Sequence, residues 1–314
     1  MRLFALQATR ALGERIASAA GLELAAHEER DFEDTEFKVR PLDGVRGERA
    51  VVCQSLFADD RQSANDKLCR LLFMIGALRD DGAAEIVALV PYLAYARKDR
   101  RTKPHDPVTS RYVAVLLEAV GTDVVVGLDV HNPAAFENAF RVPTVHLEAS
   151  PLFVEHFAHA AEAAESVVVL SPDAGGMKRA RRFAAALAAR TGRPVDLALM
   201  EKERSEGRVA GTAFAGDVRD ACVIVVDDLI AGGTTVVRAA EAARQRGARS
   251  VHAAATHGVF ATGAVEKLGA AGLDSIVVTD SAGDPRGRAA ALGDRLVVLG
   301  CAPLLAAAVR DLDR

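Results

Sequence analysis

Short β-branched runs alternate with longer helix-period segments along almost the whole chain, and few folds accommodate that order. The runs "RAVVCQS" (49–55), "EIVALVPY" (85–92) and "DVVVGLDVH" (123–131) each end in polar residues. The second half repeats the order with "ESVVVLSPD" (165–173), "ACVIVVDD" (221–228) and "DSIVVTDS" (274–281). Apolar runs this continuous suit strands buried on both faces, so the alternation predicts parallel sheets covered by helices. The fold class is α/β. Two such series in 314 residues fit two domains of ordinary size. The stretch "RVPTVHLEAS" (141–150) breaks the pattern and reads as the connector. It divides the chain into domains of residues 1–146 and 147–314, with "APLLAAAVRDLDR" (302–314) as a terminal helix able to pack back on the first domain.

In open parallel sheets, ligands gather where strands end, because loops and helix amino termini supply unpaired N–H groups there. The most demanding strand end is "VIVVDDLIAGGTT" (223–235). Asp227 and Asp228 stand side by side at the end of an apolar run, and two ionised neighbours repel and resist desolvation. A ligand or water must meet them. Backbone amides around Gly232 and Gly233 suit a phosphate, with the Thr234 and Thr235 hydroxyls as further donors and the positive end of the next helix behind them. The carboxylates repel that phosphate and are suited to accepting hydrogen bonds from sugar hydroxyls. A phosphorylated sugar satisfies both halves of the motif.

Composition narrows the alternatives. Half the residues are hydrophobic and 26% are charged, with a formal net charge of -4, so nothing draws the whole chain to nucleic acid. The amino terminus "MRLFALQATRALGERIA" lacks a leader pattern, and no apolar run is long enough to cross a bilayer; the expectation is a cytoplasmic protein without a membrane partner. Cys53, Cys69, Cys222 and Cys301 are scattered without CxxC pairing, and read as buried thiols. Alanine-rich segments such as "AHAAEAAE" read as helix filler.

The 223–235 stretch resembles the ribose-5-phosphate signature of type I phosphoribosyltransferases and of ribose-phosphate pyrophosphokinases, the phosphoribosyl pyrophosphate (PRPP) synthetases. Four further stretches favour the synthetase. "SPDAGGMKRARRFAAAL" (171–187) resembles its SPDxGGxKR segment, "LDVHNPAAFENAF" (128–140) its DLH segment, "ALMEKERSEGRVAG" (198–211) its KER catalytic loop and "PYLAYARKDRR" (91–101) its PYxxYxRQD stretch. "RDFEDTEFKVR" (30–40) resembles FxDGE, and "ANDKLCRLLFMIGALR" (64–79) the NDxLxELL helix, whose apolar spacing core packing alone explains. Taken alone, a mixed-charge loop or a strand-end histidine is ordinary.

The resemblance implies two phosphoribosyltransferase-like domains, each a mainly parallel sheet flanked by helices. It implies Lys202 and Arg204 as catalytic cations on a loop between strands. Phe32, Asp34, Glu36, Arg97, Lys98 and His131 would hold ATP. Asp227, Asp228, Ala231, Gly232, Gly233, Thr234 and Thr235 would hold ribose 5-phosphate, and His131 and Asp173 would hold Mg²⁺. The hairpin motif would serve a neighbouring subunit, since such enzymes self-associate into dimers or hexamers. The implied reaction transfers a diphosphoryl group from ATP to ribose 5-phosphate. A PRPP-consuming phosphoribosyltransferase explains 223–235 but leaves the first domain idle, and a noncatalytic synthetase subunit is opposed by the intact Lys202, Arg204, His131 and Asp173. The chain departs from the pattern at Lys98, where glutamine is usual, at Ala231 and Gly232, where an acid and a threonine are common, and at Thr35, which replaces a glycine and constrains that turn. "RRTKPHDPVTSRY" (100–112) lacks the Ser-Arg stretch of phosphate-activated members.

Overall fold

The computed structural model describes residues 1–205 and 208–312, and for 201–212 it describes the backbone alone. Two compact units result: 1–148 with 281–283 and 300–314, and 149–280 with 284–299.

In the first unit, strands β1 (Arg2–Ala5), β4 (Arg49–Cys53), β5 (Glu85–Val90), β6 (Val124–Leu128) and β7 (Thr144–Leu147) form one sheet in that order, every pair parallel. Strands β2 (His27–Asp31) and β3 (Phe37–Pro41) stand apart as an antiparallel hairpin. The helices are α1 (Arg10–Ala20), α2 (Ala64–Asp80), α3 (Thr109–Ala119) and α4 (Pro133–Ala139). One apolar cluster joins Ala50, Val52, Ala88 and Val125 of the sheet to Leu71, Ile75 and Leu78 of α2 and Leu117 of α3. Helix α2 begins in a capping box, with Ser63 and Asp66 each satisfying the other's backbone N–H. Its Lys67 is fully buried, and the ammonium meets Asp59 at 2.5 Å and lies 3.3 Å from the Phe57 ring centroid. A buried cation needs such a partner, and the pair fixes the loop before the helix.

The second unit is doubly wound. After α5 (Ser150–Ala163) come β8 (Val167–Ser171), α6 (Met177–Thr191), β9 (Asp196–Ser205), β10 (Arg208–Ala215), β11 (Cys222–Ile230), α7 (Thr234–Gln245), β12 (Ser250–Gly258), α8 (Ala264–Ala270), β13 (Ser275–Thr279), α9 (Pro285–Arg288) and β14 (Leu296–Leu299). The sheet order is β10-β9-β8-β11-β12-β13-β14, parallel except at the β9–β10 pair. Alternate residues serve opposite faces. Val168, Leu170, Val223, Val225, Ala253 and Ala255 join Val236, Ala239 and Ala243 of α7, while on the other side Phe157 of α5 packs edge-on to Phe183 of α6 and to His252. Burial lowers the pKa of both His252 and His156. The last helix, α10 (Ala302–Leu312), belongs to the first unit and packs on α1, with Arg310 Nη1 donating to the Ala19 carbonyl at 2.5 Å.

All six quoted apolar runs contain strands. The two units divide at 148/149, inside the 141–150 stretch, but that stretch is not all connector: Thr144–Leu147 is the edge strand of the first sheet, half-buried and only four residues long. A short edge strand needs few apolar residues and tolerates Pro143 just before it. Cys69 also differs from expectation, lying exposed on α2, whereas Cys53, Cys222 and Cys301 are buried, and burial pushes the Cys53 thiol up to about 12. Among the described residues no helix is long and apolar enough to cross a membrane.

Candidate active site

Strand β11 sits at the point where the second sheet reverses direction. From β8 the chain moves outward to β9, and from β11 it moves the other way to β12. Helices therefore leave the two neighbouring strand ends on opposite sides and open a crevice between them. Strand β11 pairs with β8 only from Cys222 to Val225 but runs on to Ile230, so its last residues overhang that crevice. Asp227 and Asp228 lie on the overhang. Asp228 is 3% exposed, Asp227 is half-buried, and the Asp228 N–H donates to Asp227 Oδ1 at 2.9 Å.

A cation faces both carboxylates. Arg179, on the first turn of α6, places Nη1 3.8 Å from Asp227 Oδ1 and 3.7 Å from Asp228 Oδ1. Burial, and then the adjacent Asp228, hold the Asp227 carboxyl well above its ordinary pKa, with Arg179 opposing them. Arg179 is not among the residues expected from the SPDxGGxKR segment, of which Asp173 and the glycines alone have a chemistry readable in isolation. The signal was its place one turn into a helix that follows the strand beside β11.

This titration has a stability consequence. A carboxyl whose pKa is raised on folding contributes stability that is complete below the unfolded value, about 4, and is lost as pH rises toward the folded value. Asp227→Asn removes that loss. The ligand-free variant is expected to be more stable at pH 7 by about 1 kcal/mol, roughly 2–4 °C in Tm, with the gain vanishing below about pH 4. Thermal melts of both proteins across that range measure it, and a lower Tm of the variant at pH 7 contradicts it.

Beyond β11 the chain turns sharply through 231–233 into α7. The loop carbonyls are occupied: Phe260 N donates to Ile230 O at 3.0 Å, Ala261 N to Ala231 O at 3.0 Å and Val237 N to Gly233 O at 2.9 Å. The first amides of α7 have no partner within the helix. Gly233 adopts φ 73°, which favours glycine, and a Cβ there would press on Leu268 Cγ at 3.2 Å. A Cβ on Gly232 would meet nothing within 4 Å, which leaves open space over the amides. Thr234 is exposed and Thr235 half-buried at the same helix end. The arrangement suits an anion, and the adjoining acidic pair suits neutral hydroxyls.

The end of β8 adds a second turn. Ser171 Oγ donates to the Asp173 carbonyl at 2.7 Å, and Gly176 N donates to Asp173 Oδ1 at 2.9 Å. A Cβ on Gly176 would approach Ser171 Oγ to 2.8 Å, so this glycine allows the close turn. Asp173 is exposed, and only Oδ1 is committed among the described residues. Among those residues no group of three or more His, Cys, Asp or Glu side chains assembles a metal cage. Mg²⁺ does not require one, since it keeps several waters and takes one or two carboxylates plus substrate phosphates. The Asp173 carboxylate fits that mode.

In the first unit, the candidate nucleotide residues fall into two groups. Arg97 and Lys98 follow β5 and His131 follows β6, all three exposed, and an Asn132–Asp99 hydrogen bond of 2.6 Å ties these segments together. Lys98 reaches Asp106 at 3.4 Å, and hydrogen bonds led by Thr102 lower the Asp106 pKa to about 2. Phe32, Asp34 and Glu36 form the turn of the β2–β3 hairpin, with Phe32 40% exposed and Arg30 5.2 Å from its ring centroid. Thr35 has φ 74°, the left-handed backbone that glycine adopts freely and a β-branched residue adopts under strain.

Lys202 and Arg204 lie on β9, opposite Thr212 and Val209 of β10. The sequence places them on a loop between strands, whereas the backbone through Ser205 is paired strand. Their side chains lie outside the described residues.

Taken together, the switch-point crevice, the turn with its helix-end amides and the acidic pair define an α/β protein whose second sheet offers a candidate site for a phosphorylated polyol. A family model of the N-terminal domain of ribose phosphate pyrophosphokinase matches residues 1–121, and one of the phosphoribosyl synthetase-associated domain matches 200–313. The chain is 38% identical over 310 residues to a ribose-phosphate pyrophosphokinase of Caldanaerobacter subterraneus subsp. tengcongensis, covering 98% of this chain and 93% of that protein. It is 37% identical to that of Hyphomonas neptunium, covering 99% and 96%. The crystal structure of phosphoribosylpyrophosphate synthetase from Mycobacterium smegmatis matches with a TM-score of 0.90 at 32% identity, over 99% of this chain and 98% of that one. The chain belongs to the ribose-phosphate pyrophosphokinase family.

Proposed function

We propose that this protein is a ribose-phosphate diphosphokinase, converting ATP and ribose 5-phosphate to PRPP and AMP. The observation that carries the reading is the β11–α7 turn, where the first amides of α7 adjoin an acidic pair of one enclosed and one half-buried carboxylate, as a sugar phosphate requires. The 5-phosphate lies against the amides of Gly232, Gly233, Thr234 and Thr235, with the positive end of α7 behind it. Ala231 and Gly232 contribute backbone only. Asp227 and Asp228 accept hydrogen bonds from the ring hydroxyls, and Arg179 keeps that pair from repelling itself.

The C1 hydroxyl oxygen attacks the β-phosphorus of ATP. The bond from that phosphorus to the α–β bridging oxygen breaks, AMP departs, and the hydroxyl proton passes to solvent. No covalent enzyme intermediate is needed. Arg97 and Lys98 meet the nucleotide, Phe32 lies against adenine, and Asp34 and Glu36 reach the polar edge of the base. Lys202 and Arg204 meet the transferring group as charge develops on it. Asp173 and His131 are the residues that would hold Mg²⁺. When bound, Mg²⁺ neutralises the phosphate charge and aligns the chain of phosphates. The protein is read as cytoplasmic and as self-associating into a dimer or hexamer.

The expected result with pure protein, Mg²⁺ and ATP is AMP formation that depends strictly on ribose 5-phosphate. Absence of AMP, or equal AMP without the sugar phosphate, contradicts the reading.

A further inference from the structure

A cation on α2 grips the base of the hairpin turn. The β2–β3 hairpin lies outside the five-stranded sheet, and an isolated pair of strands is marginal in water unless something holds it. Its buried contribution to the core is Val39, with Phe37 packed partly against the same cluster and 5.3 Å from the Phe73 ring of α2. The register pairs Glu29 with Val39 and Asp31 with Phe37, so these four residues share the face turned to α2. Asp31 and Phe37 are also the last pair before the turn. Beyond them come only Phe32 to Glu36, closed by Phe32 N donating to Glu36 O at 2.8 Å.

Arg70 of α2 meets both sides of that last pair. It is 5% exposed; Nη2 bonds Asp31, Nη1 donates to Glu29 Oε2 at 3.3 Å, and the guanidinium lies 4.3 Å from the Phe37 ring centroid. Glu29 is fixed in turn, since Oε1 accepts from the Gln7 N–H and lies 3.1 Å from His27 Nε2. A planar guanidinium can pair with two carboxylates and stack on a ring at once, which an ammonium cannot do. Thr35 sits strained at φ 74°, a conformation that persists only where the surrounding structure holds it. That hold must come from below.

We infer that Arg70 is a positioning residue for ATP, clamping the Asp31–Phe37 base so that Phe32, Asp34 and Glu36 project at a fixed angle. The inference rests on the nucleotide role proposed for that turn. Arg70 touches no substrate.

The test uses the full-length protein in steady-state assays with ATP and ribose 5-phosphate varied separately. Arg70→Met is expected to raise KM for ATP roughly tenfold, within the hundredfold that a misplacement of about 1 Å can cost, and to leave kcat and the KM for ribose 5-phosphate within about twofold. Arg70→Lys keeps the charge without the fork and is expected to recover part of the ATP affinity. Asp31→Asn alters only the partner whose side chain is 71% exposed, so folding is preserved and KM for ATP should again rise. Phe32→Ala separates the two layers of the argument. If Phe32→Ala leaves KM for ATP unchanged, the nucleotide role of the turn fails and the inference falls with it. If Phe32→Ala raises that KM while Arg70→Met and Asp31→Asn leave it unchanged, or raise it equally for both substrates, the clamp is overturned and the turn's role stands.

Discussion

Replacing Lys202 by alanine is expected to lower turnover by about 10²- to 10³-fold while leaving the affinity for ribose 5-phosphate unchanged. Diphosphoryl transfer involves no covalent chemistry by the protein, so catalysis rests on placing positive charge where the oxygens gain negative charge. A preorganised donor of that kind is worth about 3 kcal/mol. Lys202 lies on β9 at the outer side of the second sheet, paired in register with Thr212. The proposed sugar-phosphate site lies instead at the ends of β8 and β11. The split between kcat and binding follows from that separation of roles along the chain. Steady-state kinetics with both substrates, combined with calorimetric titration of ribose 5-phosphate, measures it. Equal turnover in the variant removes the catalytic role of this segment.

Asp228→Asn is expected to act the other way, weakening ribose 5-phosphate binding by about tenfold to a hundredfold with a smaller effect on turnover at saturation, because hydrogen bonds to a charged acceptor contribute about 1.5–3 kcal/mol. Asp228 is nearly enclosed at 3% exposure, beside Arg179. Asparagine preserves its shape but replaces one acceptor oxygen with a donor and removes the charge that faces the hydroxyls. Asp227 behaves differently, since its raised pKa makes the ionised form costly to the empty protein. Calorimetry of the Asp228 variant at pH 7 decides the matter: unchanged affinity excludes Asp228 as a hydroxyl acceptor.

The six apolar runs were legible because central strands of parallel sheets are buried on both faces and leave a continuous signature. Strand β12 was not. It carries Ala253, Ala254 and Ala255 between β11 and β13, and alanine reads as helix former until tertiary packing against α7 demands a small residue there. Edge strand β7 was read as a connector for the opposite reason, since half-buried edges need no apolar run. At the site, the Asp227–Asp228 pair and the glycine turn were visible because each residue type has a chemical reason to be there. Arg179 escaped notice because its role depends on α6 bringing it across to a strand 48 positions further on, a relation that only the sheet order reveals. The Arg70 clamp was hidden likewise: the helix spacing of 64–79 explained its apolar residues fully, and nothing local marks which polar residue meets the hairpin.

The overhang of β11 and the turn beyond it are proposed to form one pocket for a pentose phosphate. A crystal structure of the protein with ribose 5-phosphate bound tests it most directly. The phosphate is expected against the amides of 232–235, with the ring hydroxyls within hydrogen-bond distance of the Asp227 and Asp228 carboxylates. Density for the sugar phosphate at another place, with the 231–235 turn empty, contradicts it.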